Sequence, residues 1–293
     1  MSSTAFTNIA TLVTNDPTIG EGALGVLHGA TVVIEDNRIT SVGTGTQSGV
    51  DNEINCSGKT LLPGFVDSHT HLIFAGDRSQ EFSARSKGEK YTAGGITTTV
   101  EATRKSSNLE LKDNAQRLLN EALSFGTTTV EIKSGYGLNE LDEARSIEIA
   151  SQFTSETTLL AAHVVPTEFN ADIDGYVDLI VNTIIPATKA KWIDVFCDAG
   201  AFTEEQSRMI LEAGIAQGLI PRIHANQLQR TNAVQLAIEL GAASADHLSN
   251  STDVDIRALA ASSTVATLLP GAEFSTQHQG KLGRKFLDAG ASV

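Results

Sequence analysis

From Leu61 onward the chain repeats one pattern: a short apolar run, a polar loop, an amphipathic stretch, and a glycine just before the next apolar run. That alternation is the mark of parallel strands joined by crossover helices, and it leaves few architectures open. Between Asn108 and Phe125, residues Leu111, Ala115, Leu118, Leu119 and Ala122 recur at helical spacing. Ser107 and Glu110 stand as a capping box at the start and Gly126 as a terminator. Thr203 and Gln206 open a second such helix that ends near Gly218, and a third runs from about Thr231 to Gly241.

The core strands predicted this way cover residues 62–67, 127–132, 158–162, 193–196, 219–223, 243–246 and 264–268. A closed parallel barrel needs one more. The helix-like stretch Lys281 to Ala289 leads into Ala291-Ser292-Val293 as though that strand were beginning. The expectation is a TIM-like (β/α)8 barrel over residues 61–293 that lacks its last strand in this chain. Residues 1–60 read differently. Thr31 to Ile34 and Arg38 to Val42 are β-rich runs around Glu35-Asp36-Asn37, a hairpin signal, and they point to a small N-terminal β-sandwich portion, incomplete without C-terminal strands.

The formal net charge of −14 repels polyanions, so neither nucleic acid nor an anionic membrane is expected as a partner. No run of about 18 apolar residues occurs, and Met1 to Gly22 has no basic stretch followed by an apolar one. A cytoplasmic protein with a small-molecule substrate is expected. Cys56 and Cys197, two cysteines in unlike contexts, are read as reduced, small buried hydrophobes.

The chemistry is carried by histidine. His69 and His71 follow the first barrel strand, and side chains two apart on an extended chain point the same way, so both can reach one metal ion. His163, His224 and His247 sit at the corresponding ends of the third, fifth and sixth strands. That is where barrels of this kind build active sites. Five of the seven histidines thus share one rim, while His28 and His278 fall in loops and read as surface residues. Packing does not account for such a cluster, because buried imidazoles need partners for both nitrogens.

Pro63-Gly64-Phe65-Val66-Asp67-Ser68-His69-Thr70-His71 resembles the opening metal motif of the amidohydrolase superfamily. Ala75-Gly76-Asp77-Arg78, Glu131-Ile132-Lys133-Ser134-Gly135-Tyr136-Gly137-Leu138, Ala162-His163-Val164-Val165-Pro166, Asp194-Val195-Phe196-Cys197-Asp198 and Ser244-Ala245-Asp246-His247 narrow the resemblance to its imidazolonepropionase family, over nearly the whole chain. The resemblance implies hydrolysis of 4-imidazolone-5-propanoate to N-formimidoyl-L-glutamate in histidine degradation. It implies one Zn²⁺ or Fe ion on His69, His71 and His224, catalytic roles for His247, in water activation and proton transfer, and for Gln227, and substrate contacts from Arg78, Tyr136, His163 and Gln227, the last at the ring. A homodimer is the assembly that relatives suggest.

Two departures stand out. Asn226 occupies a place where members commonly carry an acid, and the aspartate that family members use as the remaining ligand, after an eighth strand, is not found before Val293. Asp288 lies on a helix and is not a substitute. Lys133 raises the question of a carboxylated bridging lysine, but its position after the second strand does not suit that role, so one metal is expected. The competing readings are a deaminase or dihydroorotase-like hydrolase, and an inactive fragment lacking the acidic ligand.

Overall fold

The computed structural model of the chain describes residues 2–45, 49–88, 95–278, 280 and 282–293. It divides into two compact units, Met1–Phe65 and Val66–Val293.

The first unit is one mixed five-stranded sheet. Strand β1 (Ser3–Val13) runs antiparallel to β2 (Val26–Glu35), which in turn runs antiparallel to β3 (Arg38–Thr44). On its other side β1 pairs in parallel with β4 (Asn52–Asn55) and β5 (Thr60–Leu61). The hairpin expected around Asp36-Asn37 forms with Glu35 opposite Arg38. Both loop residues have positive φ, 46° and 62°, which is the primed turn that matches strand twist. Its buried apolar set includes Ile9, Leu12, Ala30, Val32 and Cys56.

The second unit carries the α/β repeat, and each of the seven core strands is present with shifted ends. They are β6 (Phe65–Asp67), β7 (Thr127–Val130) continued by β8 (Ile132–Lys133), β9 (Thr157–Ala162), β10 (Trp192–Cys197), β11 (Ile220–Ala225), β12 (Ser244–His247) and β13 (Val265–Thr267). From β8 to β13 they lie side by side in chain order, all parallel. β6 pairs with β7, and the row is extended by Glu131 N–H to the Asp67 carbonyl and Lys133 N–H to the Thr70 carbonyl, each 2.9 Å. This is the wall of a TIM-like barrel, unclosed among the described residues. β9 is buried along its whole length, as a parallel strand covered on both faces should be.

The two helices with capping signals start where those signals put them, and a third capping box appears in the structure. Ser107 with Glu110 caps Asn108–Ser124, Thr203 with Gln206 caps Glu204–Ala216, and Thr252 with Asp255 caps Asp253–Ala260. Gly126 and Gly218 turn the chain at φ of 94° and 87°, a region that costs a side chain dearly, and the next strand follows. The last helix is Gly283–Asp288; Lys281 lies outside the described residues. After it, the Ser292 carbonyl accepts the Ala266 N–H at 2.8 Å, so Ala291-Ser292-Val293 lies along β13 as a neighbouring strand would. No described helix is long and apolar enough to cross a membrane.

Candidate metal centre

His69 and His71 leave β6 with their rings on the same side, their Nε2 atoms 3.2 Å apart. His224 projects from β11, and one ligand atom from each of the three rings lies within 4.8 Å of the others. Two nitrogens bound to one tetrahedral ion at about 2.0–2.1 Å stand roughly 3.4 Å apart, so the cluster is close to what a metal requires. The donors suit that use. Both ring nitrogens of His224 are buried with no hydrogen-bond partner among the described residues. Burial, reinforced for His69 by the Lys133 ammonium and for His71 by His163, holds both imidazoles well below their usual range. They are therefore neutral, with a lone pair to offer.

Behind the rings lies a layer of acids. Asp246 Oδ2 is 2.6 Å from His69 Nδ1, and Asp194 Oδ2 is 3.0 Å from His224 Nδ1. A carboxylate on one ring nitrogen fixes the tautomer and turns the other nitrogen toward the ion. Both acids meet one cation. Lys133 Nζ, completely buried, is 2.8 Å from Asp194, 3.0 Å from Glu131 and 3.7 Å from Asp246. Burial alone would lower the lysine pKa, but Asp194, Glu131 and Asp246 outweigh it and raise it above its ordinary value. Burial would likewise raise the Asp194 pKa, yet His224 and Lys133 hold it well below the carboxylate range. Lys133 is thus an ammonium engaged by acids rather than an amine available for carboxylation, and among the described residues the three imidazoles form the one cluster arranged to hold a metal.

The remaining rim residues gather in two places. The His163 ring stacks on His71 at 5.1 Å and 21°, and Tyr136 lies 5.3 Å from His163 and 5.9 Å from His71. Burial, then His224, pushes the His163 pKa down to about 3. His247 ends β12 with its ring 5.1 Å from His224 and 5.3 Å from His69, in a left-handed conformation at φ 75°. Such a conformation in a non-glycine residue is uncommon and concentrates at functional sites.

Arg78 and Gln227 instead share a cavity of about 410 Å³ with Phe82, Arg85 and Thr276. Arg78 binds Glu81 in two places, Nε to Oε2 at 2.8 Å and Nη2 to Oε1 at 2.9 Å. Its charge still reaches His163 and contributes to lowering that ring's pKa. His28 and His278 take no part in the ring cluster; His28 lies 3.2 Å from the Ala10 carbonyl and His278 3.8 Å from Glu273.

Asn226 has a structural task. It sits at φ 53°, and its Oδ1 accepts from Thr231 N–H at 2.8 Å and from the Thr231 hydroxyl at 3.1 Å. Asparagine tolerates this left-handed geometry better than most residues. What sequence reasoning missed was the Glu131–Lys133–Asp194–Asp246 network. The signal was present: each is a charged residue in or directly beside a short strand of the barrel wall, and buried charges are the informative exception there.

An Amidohydrolase family model matches residues 52–146. The imidazolonepropionase of Mycolicibacterium smegmatis is 53% identical over 296 residues, covering 100% of this chain and 75% of that protein. That of Streptomyces griseus is 54% identical over 297 residues, covering 100% and 76%. The chain therefore spans about three quarters of the length of these relatives. Among solved structures, an atrazine chlorohydrolase from Arthrobacter aurescens complexed with zinc superimposes with a TM-score of 0.66 at 17% identity, covering 98% of this chain and 70% of that one. A Xaa-Pro dipeptidase gives 0.66 at 15% identity, covering 100% and 78%.

Proposed function

The chain belongs to the imidazolonepropionase family of amidohydrolases, and from that premise we propose how its residues open the ring of 4-imidazolone-5-propanoate to give N-formimidoyl-L-glutamate. The observation that carries the reading is the convergence of His69, His71 and His224 on one point. Imidazole donors suit zinc and iron alike, and one ion of either kind is proposed there. When bound, such an ion supplies an acidified water and a positive centre toward the ring carbonyl.

The protein's part is positioning and proton traffic. Asp246 holds His69 at Nδ1, so that its Nε2 faces the cluster, and Asp194 stands 3.0 Å behind His224 Nδ1 as an anionic backstop. His247, which burial keeps neutral, takes a proton from the attacking water and gives it to the ring nitrogen as the amide C–N bond breaks. The carbonyl carbon, still bonded to its neighbouring ring carbon, becomes the new carboxylate, and the nitrogen that departs from it keeps the transferred proton within the formimidoyl group. Tyr136 and His163, packed around His71, hold the ring, with Gln227 reaching it from its loop. Arg78 exchanges Glu81 for the propanoate carboxylate, a two-point contact replacing another of the same geometry. The free, buried state of Cys56 and Cys197 supports placing this chemistry in the reducing cytoplasm.

The test is metal content together with turnover. The chain loaded with zinc or ferrous ion is expected to retain one ion per polypeptide and consume the imidazolone, and His224→Ala to lose both properties. A wild-type chain that keeps no stoichiometric metal, or that keeps it and leaves the imidazolone intact, would overturn the proposal.

A further inference from the structure

The loop that presents Tyr136 has its backbone polar groups gripped from both sides. Glu143, fully buried near the start of the helix Glu140–Ala150, accepts the N–H of Gly137 at 2.8 Å and of Leu138 at 2.7 Å on one oxygen, and the N–H of Gly135 at 3.1 Å on the other. Arg104 takes the opposite poles, donating Nε to the Gly137 carbonyl at 2.6 Å and Nη2 to the Leu138 carbonyl at 3.2 Å. Its Nη1 lies 2.8 Å from Glu168, in the segment that follows His163. Close approach is built in: a Cβ at Gly137 would lie 2.5 Å from the Asp142 carbonyl carbon and 2.6 Å from Glu143 N.

Three amides on one buried carboxylate is an expensive way to close a turn. A carboxylate taken out of water costs several kcal/mol unless its lone pairs are filled, and burial does raise the Glu143 pKa against the pull of the Ser134 hydroxyl and of those three amides. Water or a serine would satisfy the same amides. What a charged acceptor adds is direction and stiffness, because charge-assisted bonds are shorter and roughly twice as strong as neutral ones. The same device recurs on the other loop that bears a proposed substrate contact. Buried Asp198 accepts the N–H groups of Gln227 at 2.6 Å, Leu228 at 2.9 Å and Gln229 at 3.2 Å.

We propose that Glu143 and Arg104 are positioning residues for substrate binding, a clamp that sets the Tyr136 ring against His71 and His163 before the substrate arrives. This rests on the reading of Tyr136 as a substrate contact. Neither residue touches the three metal-binding rings, so the clamp governs affinity and leaves metal retention alone.

The experiment is a double-mutant cycle on the zinc-loaded chain, with 3-(imidazol-4-yl)propanoate as the non-reacting probe and calorimetry as the readout. Glu143→Gln keeps the shape but turns one acceptor into a donor facing amides. It should weaken the probe about tenfold, or about 1.4 kcal/mol, while zinc per chain stays at the wild-type value. In a Tyr136→Ala background the same change should cost less than about twofold, because the ring it positions is gone. Arg104→Met, at a partly exposed site, should show the same dependence on Tyr136 and so covers the case in which the glutamine variant folds poorly. Equal losses in both backgrounds, or a loss that tracks zinc content, would overturn the clamp. If Tyr136→Ala alone leaves probe affinity intact, the reading of Tyr136 fails instead, and the clamp with it.

Discussion

Replacing Lys133 by methionine tests whether the barrel wall is held by charge as the geometry requires. The methionine stem fills most of the same space, so the change removes the ammonium and little else. Two contacts go directly, 2.8 Å to Asp194 and 3.0 Å to Glu131, along with the longer 3.7 Å approach to Asp246. All three acids are at most 3% exposed, so water cannot replace the lost cation. Removing one partner of a buried ion pair typically costs about 3–5 kcal/mol, since the other charge is left uncompensated. At about 2–4 °C per kcal/mol for a domain of 150–250 residues, a 4 kcal/mol loss lowers the melting temperature by roughly 8–16 °C. Urea unfolding of the wild type, Lys133→Met, Asp194→Asn and the double variant measures it. The double variant should recover at least about 1.5 kcal/mol relative to the sum of the singles, because it removes a charge along with its partner. A Lys133→Met cost below about 1 kcal/mol, or costs that simply add, would refute the account of Lys133 as the counter-ion of this layer.

Two further outcomes follow from the packing and the caps. At Gly214 an added Cβ would lie 2.5 and 2.7 Å from the Ile193 side chain, which is itself buried in β10, so Gly214→Ala should destabilise by about 1–2 kcal/mol in urea. That sign opposes the gain of about 1 kcal/mol that alanine brings to an ordinary helix, and a stabilised variant would show that β10 can yield there. Asp255 is buried, which alone would raise its pKa, but its bonds to Thr252 and Arg230 outweigh this and lower it below the usual 3.8. A lowered folded-state value stabilises above the unfolded one and stops doing so as pH falls through it. The stability gap between wild type and Asp255→Asn should therefore be constant near neutrality and close in acid below pH 3.8, and a gap that widens in acid would contradict the assignment.

The strand and helix frame was legible because its signals are local. Ser107 with Glu110 and Thr203 with Gln206 mark helix starts within four residues of sequence, and Gly126, Gly218 and Gly241 mark ends just before the strands that follow. The three metal-binding rings were legible because their positions follow from that frame: once a histidine is known to end a parallel strand, its place on the rim is set. The partners of those rings were not legible in the same way. Asp194 stands 61 residues from Lys133, and only cross-strand register places the two together. Asn226 shows the same limit, since an asparagine beside a metal-binding histidine looks like an altered ligand shell until its positive φ and its bonds to Thr231 are seen.

The acids behind the rings also make sense only as a set. Glu131, Asp194 and Asp246 formally carry three negative charges inside the wall, while Lys133 and the buried Arg222, whose Nη1 donates to the Ser68 carbonyl at 3.0 Å, carry two positive ones. Because the His69 and His71 rings are neutral, they do not close the difference. A wall selected for stability alone would have no reason to retain five buried ionisable groups, since well-packed apolar residues serve as well or better. Two carboxylates set against the backs of the His69 and His224 rings are the field that draws a small cation into the space the three rings enclose.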